Sequence, residues 1–247
     1  MSYSVILPTL NEAGHIADLI KKINSVFLEI NEKFEIIVVD DSSSDGTDKL
    51  CNEMIEEFDN LKFFSRKGLK KNLANSINLG IQKSIYENII WMDADFQHPP
   101  DFFTLFHKYH DKYDVLIFSR FLKDSVRYFE NEKFTKEMNE NQSVFFNKLG
   151  NFFLYKDITD YTSGYICVKK KIFDNYQLKG YYGEYFIDLI VHCKSKKLLI
   201  KELPFIERKR VTGLSKTFPS FTYRYIILLY KYFICLMKNI LKKNFVK

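Results

Sequence analysis

Two aspartates two residues apart, Asp93 and Asp95, stand directly behind the apolar run Ile89-Ile90-Trp91-Met92. Carboxylates at that spacing, just past a strand, can turn toward one hard cation. Mg²⁺ or Mn²⁺ takes oxygen ligands and keeps positions open for phosphate oxygens. Gln97 offers a further carbonyl oxygen. A cation held there would neutralise a diphosphate leaving group as its bond breaks. Taken alone, an Asp-x-Asp pair is more often a solvated turn, so its neighbours decide. A second acidic cluster, Asp40-Asp41-Ser42-Ser43-Ser44-Asp45-Gly46-Thr47, ends the run Ile36–Val39. Its carboxylates can accept from a base N–H or ribose hydroxyls, while Ser44 or Asp45 caps the next helix. A third polar stretch, Pro8-Thr9-Leu10-Asn11-Glu12, follows the run Tyr3–Leu7.

These stretches must be positioned by the elements before them. Over the first 120 residues, short Val- and Ile-rich runs (Tyr3–Leu7, Glu35–Val39, Leu61–Phe64, Ile89–Met92, Val115–Ser119) alternate with helical periodicity near Ala13–Ile30, Thr47–Phe58, Asn72–Ser84 and Pro100–Tyr109. Strands alternating with helices predict βαβ units and a mostly parallel sheet. In such a sheet, ligands bind at the carboxyl ends of the strands. All three polar stretches lie there. A dinucleotide site is excluded, because the first turn lacks GxGxxG, and no GxxxxGK[ST] marks a P-loop.

The segment from Leu122 to Gln142 is charged and irregular and reads as a loop or flap with at most one helix. A helix is expected near Val144–Tyr155, a strand near Tyr165–Val168, a helix near Tyr182–Cys193 and a strand near Leu198–Glu202. With 247 residues, 46% of them hydrophobic, the chain can build one substantial core. A net charge of +6 suits phosphate ligands or an anionic membrane surface. No nucleic-acid-binding signature accompanies it, so nucleic acid is not an expected partner. Cys51, Cys167, Cys193 and Cys235 are widely spaced with no CxxC, which favours reduced thiols over a metal site or disulfide framework. The N-terminal apolar run is too short for a signal peptide.

Residues 224–242 are apolar apart from Asn239 and four charges, Arg224, Lys231, Lys238 and Lys242, at intervals of seven, seven and four. On a helix the four charges form one narrow stripe. Three readings compete with a helix that closes the core: an amphipathic helix at the bilayer interface, insertion, and packing on a membrane partner subunit. The first is preferred, because the longest uncharged runs are six residues, short of the roughly 20 of a simple span.

Together, Val5-Ile6-Leu7-Pro8-Thr9-Leu10-Asn11-Glu12, Val38-Val39-Asp40-Asp41-Ser42-Ser43-Ser44-Asp45-Gly46-Thr47 and Met92-Asp93-Ala94-Asp95-Phe96-Gln97-His98-Pro99-Pro100 resemble family 2 glycosyltransferases of the GT-A fold. The Gln-His-Pro-Pro tail is similar to the branch containing dolichol-phosphate mannose synthase and bacterial polyprenyl-phosphate glycosyltransferases. So are Asp160-Tyr161-Thr162-Ser163-Gly164-Tyr165 and Arg210-Val211-Thr212-Gly213-Leu214-Ser215-Lys216.

The resemblance implies an α/β, Rossmann-like GT-A domain over residues 1–216, and the charge stripe adds a membrane-associating helix over 217–247. It implies an inverting transfer of a hexose from a GDP- or UDP-sugar to a lipid-phosphate acceptor, at the cytoplasmic face of a membrane. Pro8, Leu10, Glu12, Val39 and Asp41 would line the nucleoside pocket. Asp93, Asp95 and Gln97 would ligate Mg²⁺ or Mn²⁺. Arg120, Arg210 and Lys216 would contact phosphate. Leu10 replaces a common aromatic and Asp188 a usual Glu, and Glu140–Phe145 lacks a second loop Arg, for which Arg127 or Lys133 could substitute. A sugar-hydroxyl acceptor would need a base, for which Asp188 or Glu184 is the candidate. A carbohydrate acceptor and a non-catalytic scaffold subunit are the alternative readings.

Overall fold

The computed structural model describes residues 1–126, 133–208 and 223–245, with the backbone alone for 133–142, 223–225 and 245. Its strands are β1 (Ser2–Thr9), β2 (Lys33–Asp40), β3 (Leu61–Ser65), β4 (Asn88–Trp91), β5 (Val115–Ser119), β6 (Ile166–Lys169) and β7 (Ile200–Pro204). They form one sheet in the order β3-β2-β1-β4-β6-β5-β7. Only β6 runs antiparallel to its neighbours, β4 and β5. The helices are α1 (Ile16–Glu29), α2 (Thr47–Ile55), α3 (Leu73–Lys83), α4 (Phe103–Tyr109, after a 3₁₀ turn at Pro100–Phe102), α5 (Lys133–Phe153), α6 (Tyr185–Ser195) and α7 (Tyr223–Phe245).

Alternation along the strands builds two core layers, because successive side chains point to opposite faces. Ile6, Ile37, Val39, Ile89 and Trp91 face a layer that holds residues of α3, α5, α6 and α7. Val5, Leu7, Ile36, Val38, Ile90 and Met92 face the layer of α1, α2 and α4. Each large apolar side chain buried this way contributes about 1.5–3 kcal/mol. The chain leaves β1 through β2 to β3 on one side and returns as β4 on the other. The carboxyl ends of β1 and β4 are therefore a topological switch point, where a crevice opens.

The predicted strands and helices are present with ends shifted by a few residues, with one larger difference. The one helix allowed within Leu122–Gln142 begins at Lys133 and runs on into the helix expected near Val144–Tyr155, so α5 is 21 residues long. Residues 133–142 lack the apolar periodicity that marks a helix. They also contain no Gly or Pro to break one, and Lys, Glu, Met and Gln, all good helix formers, make up much of the stretch.

The helix α7 presents two apolar rows. Leu228, Tyr232 and Leu236 are buried in the α3/α6 core layer, with Asn239 beside them. Ile226, Tyr230, Phe233, Met237 and Leu241 form a second row on the opposite side, all exposed. The helix closes the core with one face, and its other face is exposed among the described residues. The boundary expected at residue 216 lies outside the described residues.

Close packing of α3 on β1 depends on Gly80, where an added Cβ would stand 2.4 Å from Ile6 Cγ2. Overpacking of this kind costs about 1–3 kcal/mol. Gly80→Val should lower stability by that amount in denaturant unfolding followed by circular dichroism; an unchanged midpoint would contradict this packing.

Candidate active site

The carboxyl ends of β2, β1 and β4 lie side by side, in parallel register, with Thr9 opposite Asp40 and Ile6 opposite Trp91. The loops after β1 and β2 are cross-linked. Asp41 N donates to Thr9 O at 2.8 Å. Asn11 N donates to Ser43 Oγ at 2.7 Å, and Ser44 N returns a bond to Asn11 Oδ1 at 2.8 Å. Glu12 N reaches Thr47 Oγ1 at 2.9 Å, and Ala13 N reaches Asp45 Oδ2 at 3.0 Å. Each loop also holds one non-glycine residue in the left-handed region: Asn11 (φ 55°), Ser42 (φ 68°) and Phe96 (φ 66°). Such residues cost of order 1–3 kcal/mol each and concentrate at functional sites.

The cross-links sort the acidic residues after β2. Asp40 shapes the turn, accepting from Ser43 N at 2.9 Å, from the Ser43 hydroxyl and from Thr9 Oγ1 at 3.3 Å. Asp45 accepts from Thr47 N at 3.1 Å and Thr47 Oγ1 at 2.6 Å. Asp41 is different. It is buried, accepts from Asn72 N at 2.5 Å, and pairs with Arg66 Nη1. Burial raises its pKa, opposed by the Asn72 N–H and the Arg66 charge. Arg66 also donates to Asn72 O at 3.0 Å, Ser76 Oγ at 3.1 Å and Lys70 O at 3.2 Å. One guanidinium thus ties the β2 end to the start of α3. Sequence reading missed it, because Arg66 sits in a lysine-rich stretch that looks like an ordinary solvated turn.

At the β4 end, Asp93 is exposed and Asp95 is only 2% exposed. Asp95 Oδ1 accepts from Gln97 N at 3.0 Å. His98 Nδ1 accepts from Asp93 N at 3.1 Å, so that nitrogen is committed to shaping the turn. The His98 ring stacks on Tyr165 at 4.9 Å, and Tyr165 Oη donates to Pro99 O at 2.7 Å. Behind Asp93, Trp91 Nε1 donates to Tyr185 Oη at 3.1 Å. Burial pushes the Tyr185 phenol up, and the Asp93 charge adds to it. The donor set here is oxygen, from two carboxylates and the Gln97 amide. Among the described residues no three His, Cys, Asp or Glu side chains gather into one metal cage. Two carboxylates suit a cation such as Mg²⁺, which keeps several waters and binds substrate phosphates. The residues present therefore fit the group.

Arg120 follows β5 on the same edge of the sheet, two strand spacings of about 4.8 Å from β4. It is held by Asp160: Nε donates to Oδ2 at 2.8 Å and Nη2 to Oδ1 at 2.9 Å. Nη2 also reaches Thr162 O and Thr162 Oγ1, both at 2.7 Å. Nη1 makes none of these bonds. Asp160 is fully buried, which alone would raise its pKa, but the Arg120 charge and hydrogen bonds outweigh burial and hold it below the usual range. The Asp160-Tyr161 turn is itself seated on α5, since a Cβ at Gly150 would stand 2.5 Å from the Tyr161 ring.

Pro8, Glu12, Val39, Asp41, Asp93, Asp95 and Gln97 thus share one edge, with Leu10 in the same β1 loop and Arg120 further along it. Asp188 is elsewhere: it lies between α6 and α7, accepting from Tyr176 Oη at 3.0 Å and pairing with Lys242 Nζ at 2.5 Å. Glu184 commits both oxygens to the N–H groups of Tyr181 and Tyr182, each at 2.8 Å. His15 and His110 are buried. Arg210, Lys216 and Arg127 lie outside the described residues, as does the side chain of Lys133. The chain reaches the segment of Arg210 from Arg208, whose N–H donates to Gln97 O at 3.1 Å.

The family model described as Glycosyl transferase family 2 matches residues 4–177. The dolichol-phosphate mannosyltransferase of Pyrococcus furiosus is 26% identical over 232 residues, covering 94% of this chain and 63% of that protein. The chain therefore spans less than two thirds of that relative. Among solved structures, mannosyl-3-phosphoglycerate synthase from Rubrobacter xylanophilus superposes with a TM-score of 0.72 at 14% identity, over 99% of this chain and 75% of that one. Glucosyl-3-phosphoglycerate synthase from Mycobacterium tuberculosis, in complex with Mg²⁺ and uridine diphosphate, gives 0.64 at 13% identity, over 96% and 79%. Both likenesses are of fold: this is a GT-A sheet.

Breaking a buried pair from one side leaves an uncompensated charge, at a cost of about 3–5 kcal/mol. Asp160→Asn should destabilise the protein toward that range in chemical denaturation near neutral pH. Because the folded pKa of Asp160 is depressed, its contribution is complete above the ordinary aspartate pKa and is lost as pH falls through the folded value. The gap between wild type and variant should close in acid. A gap that widens would contradict the pairing.

Proposed function

The chain belongs to glycosyl transferase family 2, and on that premise we propose that it transfers a hexose of the mannose or glucose type from a GDP- or UDP-sugar to a polyprenyl or dolichyl phosphate, inverting the anomeric centre. The observation that carries this reading is the meeting of three strand ends, each with a left-handed residue in its loop, at the switch point, with Asp93 and Asp95 at one of them. The name of the Pyrococcus relative supports the acceptor.

Pro8, Leu10, Glu12, Val39 and Asp41 line the nucleoside side of the crevice in this proposal, with Arg66 fixing the Asp41 carboxylate. Asp93, Asp95 and Gln97 would hold Mg²⁺ or Mn²⁺. When bound, such an ion opposes the charge that develops on a departing diphosphate. The Mg²⁺ and uridine diphosphate in the mycobacterial neighbour support a divalent ion. Arg210 and Lys216 are assigned to the diphosphate, one as a planar fork and the other as a point charge. Arg120 offers Nη1 to a phosphate while Asp160 fixes its other edge.

In the reaction, an acceptor phosphate oxygen bonds to the anomeric carbon as the bond from that carbon to the diphosphate breaks. A phosphate monoester has a second pKa of about 6 and is largely ionised at neutral pH. It needs no protein base, so catalysis rests on positioning and electrostatic stabilisation. The commitment of Asp188 to Tyr176 and Lys242, and of both Glu184 oxygens to backbone N–H groups, supports an acceptor that brings its own charge. Among the described residues no helix is long and apolar enough to cross a membrane. We place the protein at the cytoplasmic face of a membrane, attached peripherally through α7.

Incubation with a labelled sugar nucleotide, Mn²⁺ and polyprenyl phosphate should put label into an organic-extractable, mild-acid-labile product. Label in polysaccharide alone would overturn the acceptor. Asp95→Ala should lower kcat by about 100-fold or more, and an unchanged rate would reject the metal assignment. Asp188→Asn should keep transfer to the phosphate acceptor within a few-fold of wild type.

A further inference from the structure

A second concave site lies on the helical side of the molecule, apart from the strand-end crevice. It is a cleft between α6 and α7, with Tyr176, His192 and Cys235 among its lining residues. Its volume is about 990 Å³. Its walls are unusually cationic. Lys179 and Lys197 stand on the α6 side, and Lys231, Lys238 and Lys242 on α7.

The two carboxylates on the same wall, Glu184 and Asp188, offset only part of this charge. Glu184 is committed to two backbone N–H groups, and Asp188 to Tyr176 and Lys242. Lys194 is paired with Asp157, and Lys231 lies over the Tyr181 ring at 3.3 Å. Lys179, Lys197 and Lys238 are exposed, and among the described residues none of the three has a carboxylate within ion-pair distance. Unpaired positive charge gathered around one cleft is an anion site in search of its anion.

The position of the cleft says which anion. Its α7 wall includes Tyr230, which also belongs to the exposed row Ile226, Tyr230, Phe233, Met237 and Leu241. The lysines of α7 fall on the flank between that outer row and the row buried in the core. An apolar row with cationic side chains along its border matches a bilayer interface, where apolar groups enter the acyl boundary and lysines meet anionic headgroups. A soluble anion would account for the cleft but not for the adjoining apolar row.

We propose that the α6/α7 cleft seats the phosphate headgroup of an anionic membrane lipid while the outer row of α7 lies in the bilayer interface. The site is distinct from the donor crevice, so the bilayer is held by a face that takes no part in nucleotide binding. The proposal deepens the peripheral-membrane reading above and is independent of which sugar or acceptor is used.

The test is flotation of the full chain with vesicles of phosphatidylcholine alone or with about 30% phosphatidylglycerol added, at low and high salt, with inorganic phosphate as a soluble competitor. Each basic residue near an anionic surface contributes about fivefold to partitioning, so the K179Q/K197Q/K238Q variant should bind anionic vesicles roughly 100-fold more weakly. Wild type should prefer anionic vesicles and lose that preference in high salt. The F233S/M237S variant should lose binding to both vesicle types. Nucleoside diphosphate binding, measured by calorimetry, should be unchanged in both variants, which separates failure of this site from failure of the transferase reading and reports that the variants are folded. Equal binding to neutral vesicles, or wild-type binding by the triple variant, would overturn the headgroup site. Displacement of vesicles by millimolar phosphate would also overturn it, in favour of a soluble anion.

Discussion

The register of three parallel strands is the constraint on which the site depends. With Thr9 opposite Asp40 and Ile6 opposite Trp91, the loops after β2, β1 and β4 emerge side by side. A one-residue slip would turn every side chain of a strand to the other face and place core residues in solvent. Because both faces of this sheet are buried, the two core layers hold the register, and the register holds the shared edge of strand-end loops. The left-handed backbones at Asn11, Ser42 and Phe96 persist only on so rigid a base.

Two buried arginine–aspartate pairs extend this logic sideways. Arg66 with Asp41 ties the β2 end to α3, and Arg120 with Asp160 ties the β5 end to the turn before β6. Both pairs are desolvated, so neither is a strong source of net stability. Their value is orientation, since each carboxylate is held by more than one donor and cannot swing into the crevice. Arg66 reaches three further acceptors on its own, which makes the end of β2 and the start of α3 a single hydrogen-bonded unit.

Much of this could be read from the residues, and the failures have physical causes. Val- and Ile-rich runs followed by polar ends located β1, β2 and β4 and the edge they share. The start of α5 was hidden because residues 133–142 form helix without an apolar stripe. Arg66 was hidden because a buried guanidinium in a basic stretch has no local signature; only the fold brings Asp41 to it. Asp188 was a candidate base by its place on a late helix, yet the side chain lies with Tyr176 and Lys242 between α6 and α7. The narrow charged stripe of α7 was legible, but its meaning was not. A helix that is apolar nearly all round has one row for the core and another left over, and only packing tells them apart.

The central claim is that Asp93 and Asp95 bind a divalent ion together with a nucleoside diphosphate. Linkage makes that claim measurable: two ligands that share a site raise each other's affinity by the same factor. Calorimetric titration of GDP and UDP with and without Mn²⁺, on wild type and on Asp93→Asn, addresses it directly. Mn²⁺ should tighten binding of one nucleotide at least roughly tenfold in wild type, and Asp93→Asn should remove most of that gain while metal-free affinity stays the same. Equal nucleotide affinity with and without the ion would contradict it.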